Sequence, residues 1–423
     1  MKKYLFTIAF FFLLSTRLVF AGDTIRVMQY NLLYYDMLTS FCTEENNDVN
    51  QKNINLNTII DHYKPDIFTV NELNASPNSV SKLLNNALNI DGVTHYKSAA
   101  FTGSYLINML YYNSDKLVLK HQSHIQTSPR QTDVYMLYHK SDNLINGDTT
   151  FLTCLVTHLK AGNRPDNAND RAVSAQQIMN YIKKRNLQGN IMLMGDFNVY
   201  THEELAFQRF LTQTSTGIRF HDPVDAIGQW HDNPLFSDYH TQSTHISGDC
   251  FSGGGMDDRF DFILTTTSLL KGTRGAKYVK DSYWAYGQDG NRLNKTLIFP
   301  TNYSLPPNVI DALYNTSDHL PVTLNINIDY NLYVNDYLPA YNRASIKVIN
   351  PVSNSIDFWI EDILPQNVSV SVFNSLGSVV MNNSLSVSNG NKYSLSANRL
   401  VPGIYFIHIK GNDFQKVLRI VKQ

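Results

Sequence analysis

A series of consecutive strand-like segments constrains the fold more than any other feature of this sequence. Three segments rich in β-branched and aromatic residues follow one another without a helical pattern between them: 105–112, 132–138 and 151–158. Helical spacing of apolar residues occurs before and after this series, over 51–63 and 170–184. Runs of strands flanked by helices indicate an α+β chain folded as a layered sandwich, rather than a doubly wound sheet.

Further segments extend this pattern to about residue 328. Strands are predicted at 25–31, 66–72, 191–195, 260–264 and 320–328. Thr201 and Glu204 have the spacing of a capping box, which predicts a helix reaching about Leu211. We expect residues 22–329 to form the main domain.

The two ends of the chain differ from this central region. Residues 1–21 combine a basic start, an apolar run and small residues at the two positions that a signal peptidase reads, which predicts a signal peptide. An uncleaved N-terminal anchor is the alternative. Residues 330–344 are rich in Asn, Asp and Tyr and indicate a linker. Residues 345–423 contain short, regularly spaced strands and predict a small all-β sandwich domain.

Composition excludes several classes of protein. Hydrophobic residues make up 43% of the chain and charged residues 17%, a balance typical of globular proteins and unlike that of disordered chains. The one long apolar run is N-terminal, so we expect no stable membrane span in the mature chain. Because the net charge is -1, the chain is not a uniformly basic nucleic-acid wrapper.

The three cysteines bear on the compartment. Export would permit disulfide bonds. Cys154 lies in an apolar strand segment and is expected to be a small buried residue. Cys42 and Cys250 lie in polar segments and could pair, a question that the sequence leaves open.

Polar side chains lie at or beside the ends of the predicted strands. They are Asn31, Glu72, His158, Asp196, Asn198, Asp261, Asp318 and His319. Carboxylate and amide oxygens are hard ligands that suit Mg²⁺ or Mn²⁺, and histidines transfer protons or bind phosphate. Each residue alone has an ordinary structural explanation, such as a turn after a buried strand. The combination and its order therefore carry the prediction of a functional site.

The order of these motifs resembles the endonuclease/exonuclease/phosphatase superfamily, which includes pancreatic-type deoxyribonucleases, sphingomyelinases and inositol polyphosphate phosphatases. The resemblance rests on Asn31, on Glu72 and on the segments THLKAG, GDFN, RFDFIL and SDHLPV, and it covers about residues 25–328. It implies a four-layered α/β/β/α sandwich with the active site at one rim.

The resemblance also implies a metal site and an activated water. Glu72 would ligate the divalent cation, Mg²⁺ or Mn²⁺, with Asn31 and Asp318 close to it. Asp196 and Asn198 would position or deprotonate the attacking water. The reaction would be one in-line attack by water, without a covalent enzyme intermediate.

Phosphate binding is implied by a second group of residues. His158 and His319 would hold the scissile phosphate and assist the leaving oxygen, and Asp261 would fix the tautomer of His319. Arg130 and Asn198 would add phosphate contacts.

Two features modify this picture. Asn108 lies near the position at which deoxyribonucleases carry an acidic partner for the first histidine, which weakens a strict deoxyribonuclease assignment.

The charged side chains are unevenly distributed along the chain. Residues 1–21 hold three of the 35 basic side chains and no acidic one, and residues 345–423 hold seven basic side chains and four of the 36 acidic ones. The region between these two segments is therefore acidic. An acidic protein that acts on phosphates needs cations to offset its own field, which favours a bound metal.

The C-terminal region resembles a second family. INPVSN, VFNSLGSVV and PGIYFIHI, within residues 345–423, resemble the C-terminal sorting domain of the Bacteroidetes type IX secretion system. This implies export through the periplasm and outer membrane by the type IX machinery, to the medium or the cell surface. An immunoglobulin-like spacer or a glycan-binding module is the alternative.

These observations predict a secreted, divalent-metal-dependent phosphodiesterase, and specifically an extracellular nuclease with nucleic acid as substrate. A sphingomyelinase-like or other phosphoesterase of the same superfamily is the first alternative. A non-catalytic surface adhesin that kept the fold is the second, and it would leave the polar residues far apart.

Overall fold

A computed structural model describes most of the chain. It covers residues 23–141, 149–212, 218–328, 345–361, 366–388, 390–411 and 414–423. The predicted signal peptide, 1–21, and the predicted linker, 330–344, lie outside the described residues, and the domain limits stay predictions. Within the described ranges, no helix combines the length and the apolarity that a membrane crossing requires.

The region before residue 329 alternates strands and helices. In chain order its strands are β1 (Thr24–Tyr35), β2 (Ile67–Leu73), β3 (Tyr96–Ser98), β4 (Ile107–Asn113), β5 (Leu117–Ile125), β6 (Thr132–His139), β7 (Phe151–His158), β8 (Asn190–Asp196), β9 (Phe220–His221), β10 (Asp261–Thr266), β11 (Ala276–Tyr278), β12 (Trp284–Ala285) and β13 (Val322–Ile328). Its α-helices are α1 (Val49–Tyr63), α2 (Pro77–Leu83), α3 (Pro165–Arg185), α4 (Leu205–Leu211), α5 (Thr267–Lys271) and α6 (Pro307–Thr316). The described residues of this region also include a π-helical turn (Leu84–Leu88) and a 3-10 helix (Pro234–Tyr239).

The strands form two sheets that pack against each other. The first has the order β11-β13-β1-β2-β4-β3, with β12 paired to β13, and the second has the order β5-β6-β7-β8-β10-β9. Strands β1 and β2 contact β7 and β8 across the interface, where Val70 and Met194 belong to one buried cluster. Strand β8 is buried along its whole length, as expected for a central strand covered on both faces.

Helices cover the outer face of each sheet. Helices α1 and α6 contact each other and contribute Ile59 and Leu313 to the cluster of the first sheet. Helices α3 and α4 contact each other and contribute Ile178 and Phe207 to a second cluster, together with Phe262 of β10. The predicted α+β class and the four-layered α/β/β/α sandwich are confirmed.

The predicted capping box is wrong. Glu204 is itself the N-cap of α4, and no side chain caps this helix. The Glu204 carboxylate instead accepts hydrogen bonds from Arg171 Nε at 2.8 Å and from the Tyr200 N–H at 2.9 Å. Arg171 is 1% exposed, and a buried guanidinium needs a carboxylate partner more than a helix needs its cap.

The C-terminal region is all-β, as predicted. Its strands are β14 (Ser345–Val348), β15 (Ser355–Glu361), β16 (Gln366–Asn374), β17 (Val379–Val387), β18 (Lys392–Ser396), β19 (Gly403–Lys410) and β20 (Gln415–Lys422). They form a β14-β15-β18 sheet and a β17-β16-β19-β20 sheet. The alternating apolar residues of both sheets, among them Phe358, Val370 and Ile407, share one buried cluster.

One disulfide bond joins two distant loops. Cys42, in the segment after β1, is bonded to Cys250, in the segment before β10. Cys154 is free and buried. The pairing that the sequence left open is therefore present.

Candidate active site

Strand register brings three of the polar side chains to one rim of the second sheet. His158 is the last residue of β7, Asp196 is the last residue of β8, and the two are paired in parallel register. Asp261 is the first residue of β10 and is paired with Asp196 in antiparallel register. Because β10 runs opposite to β8, its start lies at the same edge as the end of β8.

Asn31 links this rim to the first sheet. It lies in β1, and its Nδ2 donates to Glu72 Oε1 at 3.1 Å and to Asp196 Oδ2 at 3.0 Å. Asn71, beside Asn31 in register, accepts the Asp196 N–H on its side-chain oxygen at 2.9 Å. The side-chain amides of Asn31 and Asn71 thus join the end of the first sheet that carries Glu72 to the end of the second sheet that carries Asp196.

His319 occupies one side of the site. Its Nδ1 lies 2.6 Å from Asp261 Oδ2, and its Nε2 lies 3.8 Å from Asp196 Oδ2. Thr241 Oγ1 also donates to Asp261 Oδ2, at 2.8 Å. Burial alone would lower the pKa of His319, but the carboxylates of Asp261 and Asp196 raise that pKa well above its usual value. The ring is therefore an imidazolium at neutral pH.

His158 occupies the opposite side. Its Nε2 lies 3.3 Å from Asp196 Oδ2, 3.8 Å from Glu72 Oε1 and 2.9 Å from Arg130 Nη2. Its Nδ1 is buried and has no hydrogen-bond partner among the described residues. Burial, followed by the charges of Arg130 and His319, lowers the pKa of His158 well below its usual value, so this ring is neutral.

Asp196 lies between the two rings. Burial, reinforced by the charges of Asp261 and Glu72, raises the pKa of Asp196 to about 7, although the cation on His319 opposes the rise. Asn198 follows in a left-handed conformation with φ 52°, and its backbone N–H donates to Asp196 Oδ1 at 3.0 Å. Asp196 is therefore a carboxyl group that ionises close to neutral pH.

Asp318 lies somewhat apart from this cluster. Its Oδ2 accepts hydrogen bonds from Gln242 Nε2 at 3.1 Å and from the Ser252 N–H at 3.0 Å. Gln242 Nε2 also lies 2.8 Å from His319 Nε2. Sequence reasoning missed Gln242, because neither a predicted strand end nor a recognised motif marks its position.

Three side chains could hold a cation together. Glu72, His158 and Asp196 each offer one ligand atom, and these atoms lie within 4.8 Å of one another. Asp318 is not part of this group. The two carboxylates suit a hard divalent ion, and a cation would also offset the burial and the neighbouring negative charges that raise the pKa of Asp196.

Asn108 closes a buried polar network behind the site. Its Nδ2 donates to Asp133 Oδ2 at 3.0 Å, and its Oδ1 accepts from Asn71 Nδ2 at 2.6 Å. Burial raises the pKa of Asp133 to about 7. The amide at position 108 thus serves Asn71 and Asp133, while the His158 Nδ1 stays without an acidic partner.

Comparison with protein-family models gives two matches. The model described as the Endonuclease/Exonuclease/phosphatase family matches residues 28–319. The model described as the Secretion system C-terminal sorting domain matches residues 349–423. No curated protein gives a significant match.

Three solved structures of low sequence identity align with most of this chain. An endonuclease/exonuclease/phosphatase from Bacteroides vulgatus is 16% identical, with a TM-score of 0.44, over 73% of this chain and 100% of its own. D. rerio TDP2, solved with a single-strand DNA product, is 13% identical, with a TM-score of 0.44, over 72% and 99%. The human Nocturnin catalytic domain is 14% identical, with a TM-score of 0.42, over 72% and 94%.

Proposed function

Because the chain belongs to the endonuclease/exonuclease/phosphatase family, whose members are metal-dependent hydrolases of phosphoric esters, we propose that it hydrolyses phosphodiester bonds of nucleic acid outside the cell. The chain also carries a type IX sorting domain, which directs export to the cell surface or the extracellular space. One observation carries the proposal: Asn31 bridges Glu72 and Asp196 while two histidines flank the same Asp196 oxygen.

The cation site consists of the residues that meet at this rim. Glu72 and Asp196 would bind Mg²⁺ or Mn²⁺, with His158 as the nearest imidazole and Asn31 donating to both carboxylates. When bound, the cation neutralises phosphate charge and polarises the phosphoryl oxygen. Arg130, next to His158, adds a positive charge for the same phosphate.

Asp196 is the group that accepts the proton of the attacking water. A base must be ionised before it can accept a proton, and a bound cation would favour the ionised form of Asp196, whose pKa burial otherwise raises to about 7. Asn198, held against Asp196 by its backbone, orients the water and contacts the phosphate. As the bond from water oxygen to phosphorus forms, the proton moves to Asp196.

His319 serves the leaving oxygen. Asp261 holds the ring as an imidazolium, so its Nε2–H can give a proton to the oxygen released when the phosphorus–oxygen bond breaks. His158 is neutral and its Nε2 accepts a hydrogen bond from Arg130, so it positions the phosphate-binding guanidinium rather than donating a proton to the leaving group. Water attack and leaving-group protonation therefore use different side chains.

Nucleic acid as substrate is supported by positive charge beyond the reacting phosphate. Lys160 and Arg164 follow β7 closely after His158, and Arg164 is exposed. Together with Arg130, these side chains would supply positive charge on the segments around His158, and such charge attracts the phosphates that flank a scissile bond.

The test is a substrate panel with the exported protein. Plasmid DNA, RNA, sphingomyelin and a chromogenic phosphodiester are each incubated with Mg²⁺ and with chelator. We expect hydrolysis of DNA or RNA that requires Mg²⁺. Preferential cleavage of sphingomyelin would instead show that the protein is a lipid phosphodiesterase and not a nuclease. No hydrolysis of any substrate would favour the adhesin.

Variants assign the activity to the site. Glu72→Gln and His319→Ala are each expected to lose activity on the substrate that the wild type cleaves. The matched controls are Glu203→Gln and His124→Ala, because both residues are exposed. Wild-type rates in both site variants would show the site assignment to be wrong.

A further inference from the structure

Lys52 is a buried lysine that the reaction described above does not use. It lies in α1 and is 2% exposed. Its Nζ donates to the carbonyl oxygens of Leu32, at 2.9 Å, and of Leu33. A lysine is almost never fully buried unless it is paired, so a buried ammonium held by two backbone carbonyls is unusual.

The two carbonyls belong to an irregular part of β1, which we call the β1 bulge (residues 32–34). Pairing of β1 with β2 shifts register between Asn31 and Tyr35. Leu33 and Tyr34 have φ values of 47° and 48°, in the left-handed region that residues with side chains rarely adopt. Such a backbone persists only where its surroundings hold it, and bulges next to active sites re-aim neighbouring side chains.

The other side of the β1 bulge contacts the cation site. The Leu33 N–H donates to Asn31 Oδ1 at 3.0 Å, and the Tyr34 N–H donates to Glu72 Oε2 at 3.2 Å. The Leu32 and Leu33 carbonyls therefore face Lys52, whereas the Leu33 and Tyr34 N–H groups face Asn31 and Glu72. Fixing the carbonyls fixes the direction of the N–H groups, because each peptide unit is planar.

We propose that Lys52 is a positioning residue for the cation site: it clamps the β1 bulge, and the bulge orients Asn31 and Glu72. The inference rests on the proposed function, in which Glu72 binds the cation. A compact ammonium suits this position, because it can donate to two converging carbonyls at once. An uncharged side chain of the same length, such as methionine, would fill the space and leave both carbonyls without a donor.

The charge of Lys52 adds to this effect. Burial lowers the pKa of Lys52 to about 7, while the carboxylates of Asp318 and Glu72 raise it. The two carboxylates therefore favour the charged form of Lys52, which has three N–H donors for the two carbonyls.

The experiment compares full-length wild type with Lys52→Met and with the control Lys184→Met, which replaces an exposed lysine of α3. Two quantities are measured: the Mn²⁺ dissociation constant, and hydrogen exchange of the Leu33 and Tyr34 amides in metal-free protein. We expect Lys52→Met to weaken Mn²⁺ binding by about 10–100-fold, the usual effect of losing a residue that orients a metal ligand. We also expect it to accelerate exchange at both amides, while Lys184→Met changes neither quantity.

Further variants separate positioning from general stability. If Lys52→Met does not fold, Lys52→Leu, which also lacks a donor, replaces it in both measurements. In a Glu72→Gln background, the same Lys52 substitution is expected to change Mn²⁺ binding by much less, because the oriented ligand is already gone. Unchanged Mn²⁺ affinity and unchanged amide exchange in a folded Lys52 variant would overturn the proposal. A wild type that binds no Mn²⁺ would instead contradict the proposed function, and amide exchange would still decide the role of Lys52.

Discussion

His319 and His158 lie on opposite sides of the site, and their surroundings favour opposite charge states of the ring. His319 and His158 approach the same Asp196 oxygen, at 3.8 and 3.3 Å. His319 has Asp261 on its other ring nitrogen, whereas His158 has Arg130 on the same nitrogen that faces Asp196 and, among the described residues, no partner on Nδ1. Their pKa values consequently shift in opposite directions.

This difference shows that burial sets the state of His158, whereas at His319 a charge partner overrides burial. Both side chains are almost completely buried, and burial lowers the pKa of each. A carboxylate reverses that effect at His319, and a guanidinium reinforces it at His158. One imidazole is therefore ready to donate a proton, and the other is ready to accept hydrogen bonds beside a phosphate.

The largest difference is expected between the two alanine variants. His319→Ala removes the proton donor and should lower kcat by about 10²–10⁴-fold, the usual contribution of general acid catalysis. His158→Ala should raise KM more than it lowers kcat. Steady-state kinetics on the preferred substrate, with His124→Ala as control, measures both. Equal losses of kcat in the two variants would contradict the proposal that His319 donates the proton and that His158 acts at the phosphate site.

Replacing the carboxylate partner should make His319 resemble His158. Asp261→Asn lowers the pKa of His319, so the imidazolium is lost at lower pH and the alkaline limb of the pH–rate profile moves down by about one unit or more. We expect kcat at neutral pH to fall on the order of 10²-fold. A profile that keeps its alkaline limb would exclude His319 as the acid.

The same variant gives a prediction for stability. A histidine whose pKa is raised by folding stabilises the folded state fully below its unfolded pKa of about 6.5. That contribution is lost as pH rises through the folded value. Asp261→Asn should therefore flatten the dependence of the free energy of unfolding on pH above about 6.5, as measured by urea denaturation.

Arg130→Met tests the opposite side with a smaller effect. Removing the guanidinium takes away a phosphate contact and should raise KM by about 10-fold, the loss expected for a charge-assisted hydrogen bond. It should also raise the pKa of His158, measured by NMR titration of the ring. Arg219→Met, at an exposed arginine, is the control. An unchanged KM would remove Arg130 from the phosphate site.

The smallest effect is expected at Gln242, whose amide touches His319 and Asp318. Gln242→Ala should lower kcat about 2–10-fold, because it removes a hydrogen bond to Asp318 without removing a reacting group. Gln176→Ala, at an exposed position of α3, is the control. A loss as large as that of His319→Ala would make Gln242 a principal catalytic residue.

Local patterns predicted the elements whose residues are buried regularly. β7 and β8 are apolar because both faces are covered, and β15 alternates because one face is buried. β5 escaped prediction because its sequence, LVLKHQSHI, lies at the edge of its sheet and is largely half-exposed. The predicted capping box at Thr201 failed because a distant arginine recruits Glu204.

The candidate site was predictable where residues follow strands and unpredictable where tertiary contacts define it. The sequence order of His158, Asp196 and His319 pointed to one rim. Gln242 and Lys52 gave no such signal, because Gln242 lies in a loop and Lys52 resembles an ordinary helix residue until α1 is packed. The opposite charge states of the two rings also depend on neighbours that are remote in sequence.

The most direct test of the cation site is anomalous diffraction from crystals of the full-length protein soaked in Mn²⁺. We expect one strong peak about 2.0–2.3 Å from carboxylate oxygens of Glu72 and Asp196, and its loss in Glu72→Gln. The more exposed group of His231, Asp257 and Asp258 is the other place where ligand atoms converge among the described residues. A peak there with none at Glu72 would contradict the account.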